Sequence, residues 1–156
     1  MYIDIGAASK EEAAKLVKKG DYIAFDSPYL PLYGSRIKAK AIDDRIGCAI
    51  IIKLLQAQAE YDFYASFSVQ EEIGLRGAKT AAYSINPDSA LVLDATTAAD
   101  IAGVPNDKSV CNLSKGAVVS FMDRATVYDK KYYDSALKSG IPCQPKRAVA
   151  GGNNGG

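Results

Sequence analysis

Two short apolar runs end on acids, and that pairing limits what the chain can become. Phe63-Tyr64-Ala65-Ser66-Phe67-Ser68-Val69 leads through Gln70 into Glu71-Glu72, and Leu91-Val92-Leu93 leads into Asp94. Apolar stretches of this length, bounded by turn residues, read as strands. Between and around them lie helical patterns. Ile46 to Gln58 is so apolar, with Ile50-Ile51-Ile52 and Leu54-Leu55, that it predicts a helix buried on most sides, with Cys48 in the core. Leu75 to Tyr83 predicts a short helix before the turn Asn86-Pro87-Asp88. Ala117 to Met122 predicts a third strand and Asp129 to Lys138 a charged helix stopped by Gly140. Pro142 to Val149 returns extended. Alternating strands and helices predict an α/β fold, a sheet with helices on its faces. In such sheets ligands gather at the carboxyl ends of strands, where these acids fall.

The first 38 residues follow another pattern. Ser9-Lys10-Glu11-Glu12 is a capping box that opens a short helix, closed by Gly20. Tyr22 to Phe25 and Arg36 to Ala39 read as strands flanking a turn region, Ser27 to Gly34, with two prolines. The expected division is therefore residues 1–38 and residues 39–156.

Bulk properties exclude several function classes. A net charge of +1 gives no electrostatic pull toward nucleic acid or an anionic membrane. No run approaches the roughly 20 apolar residues that span a bilayer. Three scattered cysteines without a C-x-x-C pair fit a reducing, cytoplasmic setting.

Clustered carboxylates need protons or cations to offset their repulsion. Adjacent residues of a regular strand face opposite ways, so Glu71 and Glu72 can serve one site only where Ile73-Gly74 breaks the alternation. One acid could then hold a metal while its neighbour takes a proton from water. The plainer alternative is a solvated strand end or an ion pair with Arg76. Asp43-Asp44-Arg45, just before the apolar helix, has its own plain reading as a helix cap. Asp94 closes a buried-type strand and is harder to explain without a partner. Asp100 reads equally well as a loop residue, and Tyr128, Tyr132 and Tyr133 as surface and packing.

In this order and separation, the motifs Lys40-Ala41-Ile42-Asp43-Asp44-Arg45-Ile46-Gly47, Val69-Gln70-Glu71-Glu72-Ile73-Gly74-Leu75-Arg76-Gly77-Ala78 and Asp94-Ala95-Thr96 resemble metallopeptidase family 42. Tyr2-Ile3-Asp4-Ile5-Gly6-Ala7 and the glycine-rich Gly151-Gly152-Asn153-Asn154-Gly155 extend the likeness along essentially the whole chain. The resemblance implies a zinc-peptidase-like mixed sheet flanked by helices. Residues 1–38 would be the end of a small β-rich assembly domain inserted in that fold. It implies a cytosolic aminopeptidase that releases N-terminal amino acids from peptides, uses two zinc or cobalt ions and assembles into homo-oligomers. Under it Asp43 bridges the two metals, with Asp44 following across a cis peptide. Glu72 and Asp94 each hold one ion, Glu71 is the general base, and Asp44 and Arg45 support the site.

The family also uses two histidine ligands, and this chain contains no histidine. On the resemblance it carries three of five protein ligands and the base. It therefore looks like the middle of such an enzyme, weak or inactive alone. Two other readings stay open. A two-carboxylate glycoside hydrolase of endoglucanase type could use Glu71 with Asp94, although there is no tryptophan to form sugar platforms. A degenerate, non-catalytic subunit would explain the missing histidines but not the retained acids.

Overall fold

The computed structural model describes residues 2–147 and 151–156. The chain is α/β and divides into two compact units, Met1–Lys40 and Ala41–Gly156.

In the first unit, α1 (Lys10–Leu16) begins as its capping box requires. Ser9 Oγ accepts from the Glu12 amide at 3.1 Å, and the Glu12 carboxylate reaches back to the Ala8 amide at 2.9 Å. The helix stops at Leu16, earlier than Gly20, because Val17 turns extended. The ribbon also differs from expectation. β1 (Leu30–Leu32) pairs antiparallel with β2 (Arg36–Lys38), so one strand lies inside the presumed turn region. Pro31 is tolerated there because each strand of a two-stranded ribbon keeps one free edge. Tyr22 to Phe25 forms no ladder.

The second unit carries the α/β pattern. α2 (Ile42–Gln56) starts irregularly: Asp43 and Asp44 have non-helical dihedrals and are joined by a cis peptide. α3 (Arg76–Ile85) and α4 (Lys130–Lys138) follow the expected segments closely. α4 is capped by Asp129, whose side chain accepts from the Lys131 amide at 2.7 Å. β3 (Ala117–Val119) and β4 (Cys143–Pro145) pair in parallel with α4 as the crossover, a complete β-α-β unit. The end of the extended segment after β4, Ala148 and Val149, falls outside the described residues.

Two expectations fail in this unit. Phe63 to Val69 and Ala90 to Leu93 join no sheet, since a strand exists only by its ladder and the described residues offer these runs no partner. α2 is not enclosed either. Ile50, Ile52 and Leu55 are 42%, 48% and 53% exposed, and Cys48 is exposed with them. Only Gly47 of that helix is buried. The buried residues instead gather at Ser109, Val110 and Cys111. Arg147 secures this stretch through Nη1 to Ser109 Oγ and to Asn106 O, both at 2.6 Å, and its amide donates to Val110 O at 2.9 Å.

Candidate metal centre and its cleft

The acids converge because three backbone features aim them. Asp43 and Asp44 sit at the irregular start of α2, where regular helical spacing would send neighbours about 100° apart. Asp44 also caps its helix, accepting from the Gly47 amide at 2.9 Å. A Cβ at position 47 would run into that same carboxylate, so a larger residue there would force Asp44 to shift. Asp94 stands where the Ala90–Leu93 run ends and accepts from the Ala95 amide at 2.8 Å.

Glu71 is delivered by a chain reversal. Its carbonyl accepts from Gly74 at 3.0 Å and Leu75 at 2.9 Å, while Val69 O accepts from Gly77 at 3.0 Å. Gly74, at φ 113°, supplies a backbone shape that L side chains resist, and at Gly77 any Cβ would strike the Val69 backbone.

Asp43, Asp44 and Asp94 each offer a carboxylate oxygen within 4.8 Å of the others. Burial raises the Asp94 pKa to about 6, with the charges of Asp44, Asp43 and Glu71 pushing the same way against the Ala95 hydrogen bond. Asp44 is raised by burial and by Asp43, despite the opposing Gly47 bond. Glu71 is raised by burial and then by Glu72, Asp43 and Asp44, so its carboxylate lies in the field of the trio. Four like charges in one region are a cost that a divalent cation would reverse.

Asp43 and Asp94, expected as ligands, stand together. Asp44, expected as support, stands with them, while Glu72 is exposed and outside the trio. Arg45 is exposed on α2. Among the described residues neither glutamate pairs with Arg76; the ion pair present is Lys130–Asp134. The trio fits a cation, but with oxygen donors alone it favours hard ions over zinc.

A cleft of about 380 Å³ opens beside Asp43, lined by Ala95, Thr96, Thr97, Val110, Lys146 and the glycine-rich Gly151 to Asn153. The glycine-rich segment is pinned by side chains. Tyr128 Oη lies 2.5 Å from Asp123 Oδ2 and 3.1 Å from Asn153 Oδ1, Asn154 Nδ2 donates to Ser68 Oγ at 2.9 Å, and Lys146 Nζ donates to Gly151 O at 3.0 Å. Burial would raise the Asp123 carboxyl, yet hydrogen bonds from Tyr128 and the Ala125 and Thr126 amides, with Lys146 nearby, bring it below the usual value. Tyr128 is pushed up to about 12 by burial and by Asp123.

Tyr128 therefore does more than pack, which sequence reading alone did not find. Tyr133 keeps the plainer role, meeting Phe121 edge-on with centroids 5.4 Å apart. The available signal for Asp123 was its spacing to Thr126, an Asx-turn pattern realised by bonds of 2.8 and 2.9 Å to the amides of Ala125 and Thr126. Asp100 proves to be a loop anchor, accepting from the Leu113 amide at 3.0 Å.

Carboxylates converging on a cleft at the ends of apolar runs define a candidate cation-dependent hydrolase centre. The chain belongs to the M42 glutamyl aminopeptidase family, whose model matches residues 1–156. It is 39% identical to a protein of Acetivibrio thermocellus that carries a provisional aminopeptidase name, over all of this chain and 48% of that protein. A solved aminopeptidase of the archaeon Desulfurococcus kamchatkensis superposes with a TM-score of 0.82 at 36% identity, over 97% of this chain and 45% of the other. A further structure, described as PhTET1-12s with a dodecamer in the asymmetric unit, gives a TM-score of 0.68 at 33% identity, covering 96% and 46%. The chain thus spans about half the length of the relatives it matches. Among the described residues no helix is long and apolar enough to cross a membrane.

Proposed function

We propose that this chain carries the acidic side of a metal-dependent aminopeptidase centre, acting on the free N-terminus of peptides. The convergence of Asp43, Asp44 and Asp94 within 4.8 Å, in a chain of this family, carries the reading. Asp43 and Asp94, with Glu72 or Asp44, would hold one or two divalent cations, zinc or cobalt in the complete site. Such ions lower the pKa of water and polarise the scissile carbonyl. Glu71 is the base: it takes a proton from the attacking water and returns it to the departing amine. Its raised pKa, driven by burial and by Glu72, Asp43 and Asp44, suits a group that must both accept and release a proton. Asp44 also fixes the start of α2 through Gly47 and so sets the direction of Asp43.

Residues 1–38 are read as the end of an inserted β-rich assembly domain, and the whole protein as a cytoplasmic homo-oligomer. The relative described as a dodecamer supports the oligomer. Because this chain itself contributes only oxygen donors, its own peptidase activity is expected to be weak or absent.

Titration of the purified chain with cobalt(II), followed by its visible absorption, tests the centre. Saturable binding lost in D43N and D94N is the expected result. Binding that survives both substitutions would sink the assignment. A parallel assay of amino-acid release from a peptide, with E71Q as control, tests the reaction itself.

A further inference from the structure

One side chain of the glycine-rich segment has its acceptor in use and its donors spare. Asn153 lines the cleft, as do Gly151 and Gly152. An asparagine carries a carbonyl oxygen that accepts and an NH2 group with two donors. In Asn153 the oxygen is occupied. Oδ1 accepts from the Gly155 amide at 2.8 Å and lies 3.1 Å from Tyr128 Oη. A backbone N–H can only donate, so the Gly155 contact fixes which end of the side-chain amide is oxygen. Nδ2 has no partner among the described residues. The described polar atoms sealed away without a partner are Thr126 Oγ1 and Asn154 Oδ1, so Nδ2 stays open to solvent.

The mounting behind Asn153 is several bonds deep. Tyr128 is set by Asp123, and Asp123 by the amides of Ala125 and Thr126 at 2.8 and 2.9 Å. To either side, Lys146 Nζ holds Gly151 O at 3.0 Å and Asn154 Nδ2 holds Ser68 Oγ at 2.9 Å. A donor whose direction is set beforehand loses little freedom when a ligand arrives. An uncharged NH2 group selects an oxygen acceptor and has nothing to offer an ammonium. The peptide carbonyl is the acceptor of that kind that the aminopeptidase reading brings into this cleft.

We propose that Asn153 is a substrate-binding residue whose Nδ2 donates to a carbonyl oxygen of the peptide that enters the cleft. The class of ligand rests on the aminopeptidase reading; the spare donor does not.

L-Alanyl-L-alaninamide is added to the metal-free, isotope-labelled chain. Two analogues, each with one of its two carbonyl oxygens replaced by sulfur, a weaker acceptor, are added separately. The side-chain NH2 signals of Asn153 report the contact directly by NMR. The expected result is a shift of those signals by the parent dipeptide, with one analogue binding about fivefold more weakly, the size of a single neutral hydrogen bond. That analogue names the oxygen. N153D keeps the oxygen that Gly155 holds and trades the donor for an acceptor. Parent and analogues should bind it alike, while the amide signals of Gly151, Gly152 and Gly155 stay in place. An asparagine that serves only to hold Gly155 would show no preference among the probes. Should N153D not fold, the NH2 shift and the binding ratio on the unsubstituted chain decide alone. An unmoved NH2 signal, equal binding of all the probes, or a preference that survives N153D would overturn the proposal. A preference without cobalt binding would keep Asn153 as a carbonyl donor and remove the aminopeptidase reading; cobalt binding without a preference would do the reverse.

Discussion

Asp94 and Asp123 are the same residue type in the same unit, yet their protons behave in opposite ways. Asp94 faces two other aspartates and Glu71, has one backbone donor, and is raised to about 6. Asp123 meets a phenol, two amides and a lysine, and is lowered although burial acts against it. A carboxylate whose hydrogen bonds are complete is a structural anchor. One left among like charges carries a cost that a bound cation would reverse.

The sharpest break in this contrast is removal of an acid from each side. D94N or D43N should weaken cobalt binding on the order of 100-fold or more, beyond the 10–100-fold typical of residues that only support ligands. D123N should leave binding within a few-fold while lowering stability by about 1–3 kcal/mol, because it strips partners from Tyr128 and two amides. Calorimetric titration and thermal melting read the two effects separately. If D123N abolished metal binding as D94N does, the distinction between anchor and ligand would collapse.

The next effect has the opposite sign. Without metal, D94N should stabilise the chain at pH 7 by about 1–2 kcal/mol, since it removes a repelled charge; this allows for screening at a partly exposed site. The direction with pH follows. A raised carboxyl contributes stability that is fully present below its unfolded value of 3.8 and is lost as pH rises through about 6. A lowered one, Asp123, contributes stability present above 3.8 and lost as pH falls further. The D94N and D123N pH-melting curves should therefore diverge from the parent in opposite ways. Cobalt affinity should fall as pH drops through about 6, as protons compete for Asp94.

The smallest expected change is Y128F, about 1 kcal/mol, with altered amide signals in Gly151 to Gly156 and little effect on α4. Its stability difference from the parent should fade as pH rises from 10 through about 12, because the raised phenol releases its proton later when folded than when unfolded. A constant difference across that range would mean that ring packing, and not the hydroxyl, holds the glycine-rich segment.

Helices were the legible part of the fold. α3 follows local periodicity, and Asp129 and Ser9 cap α4 and α1 as their spacing demands, because such signals act within one turn. Strands were less legible. Leu30–Leu32 pairs although it contains Pro31, while the more strand-like Phe63 to Val69 pairs with nothing described. Pairing depends on what lies alongside, which periodicity does not encode. The same reason leaves α2 exposed among the described residues, although its composition predicts burial.

At the site, the order and types of residues singled out Asp43, Glu71 and Asp94 as candidates and tied the chain to its family. Tertiary structure decided the rest. It set Asp44 beside Asp43 and Asp94, left Glu72 outside the trio, turned Tyr128 toward Asp123 and Asn153, and placed Lys146 in the cleft with Asp43. Motifs report chemistry carried by neighbours in sequence. Charge neutralisation and hydrogen bonding act across a few ångströms of space, between residues as far apart as Asp43 and Lys146, and only the folded chain fixes those distances.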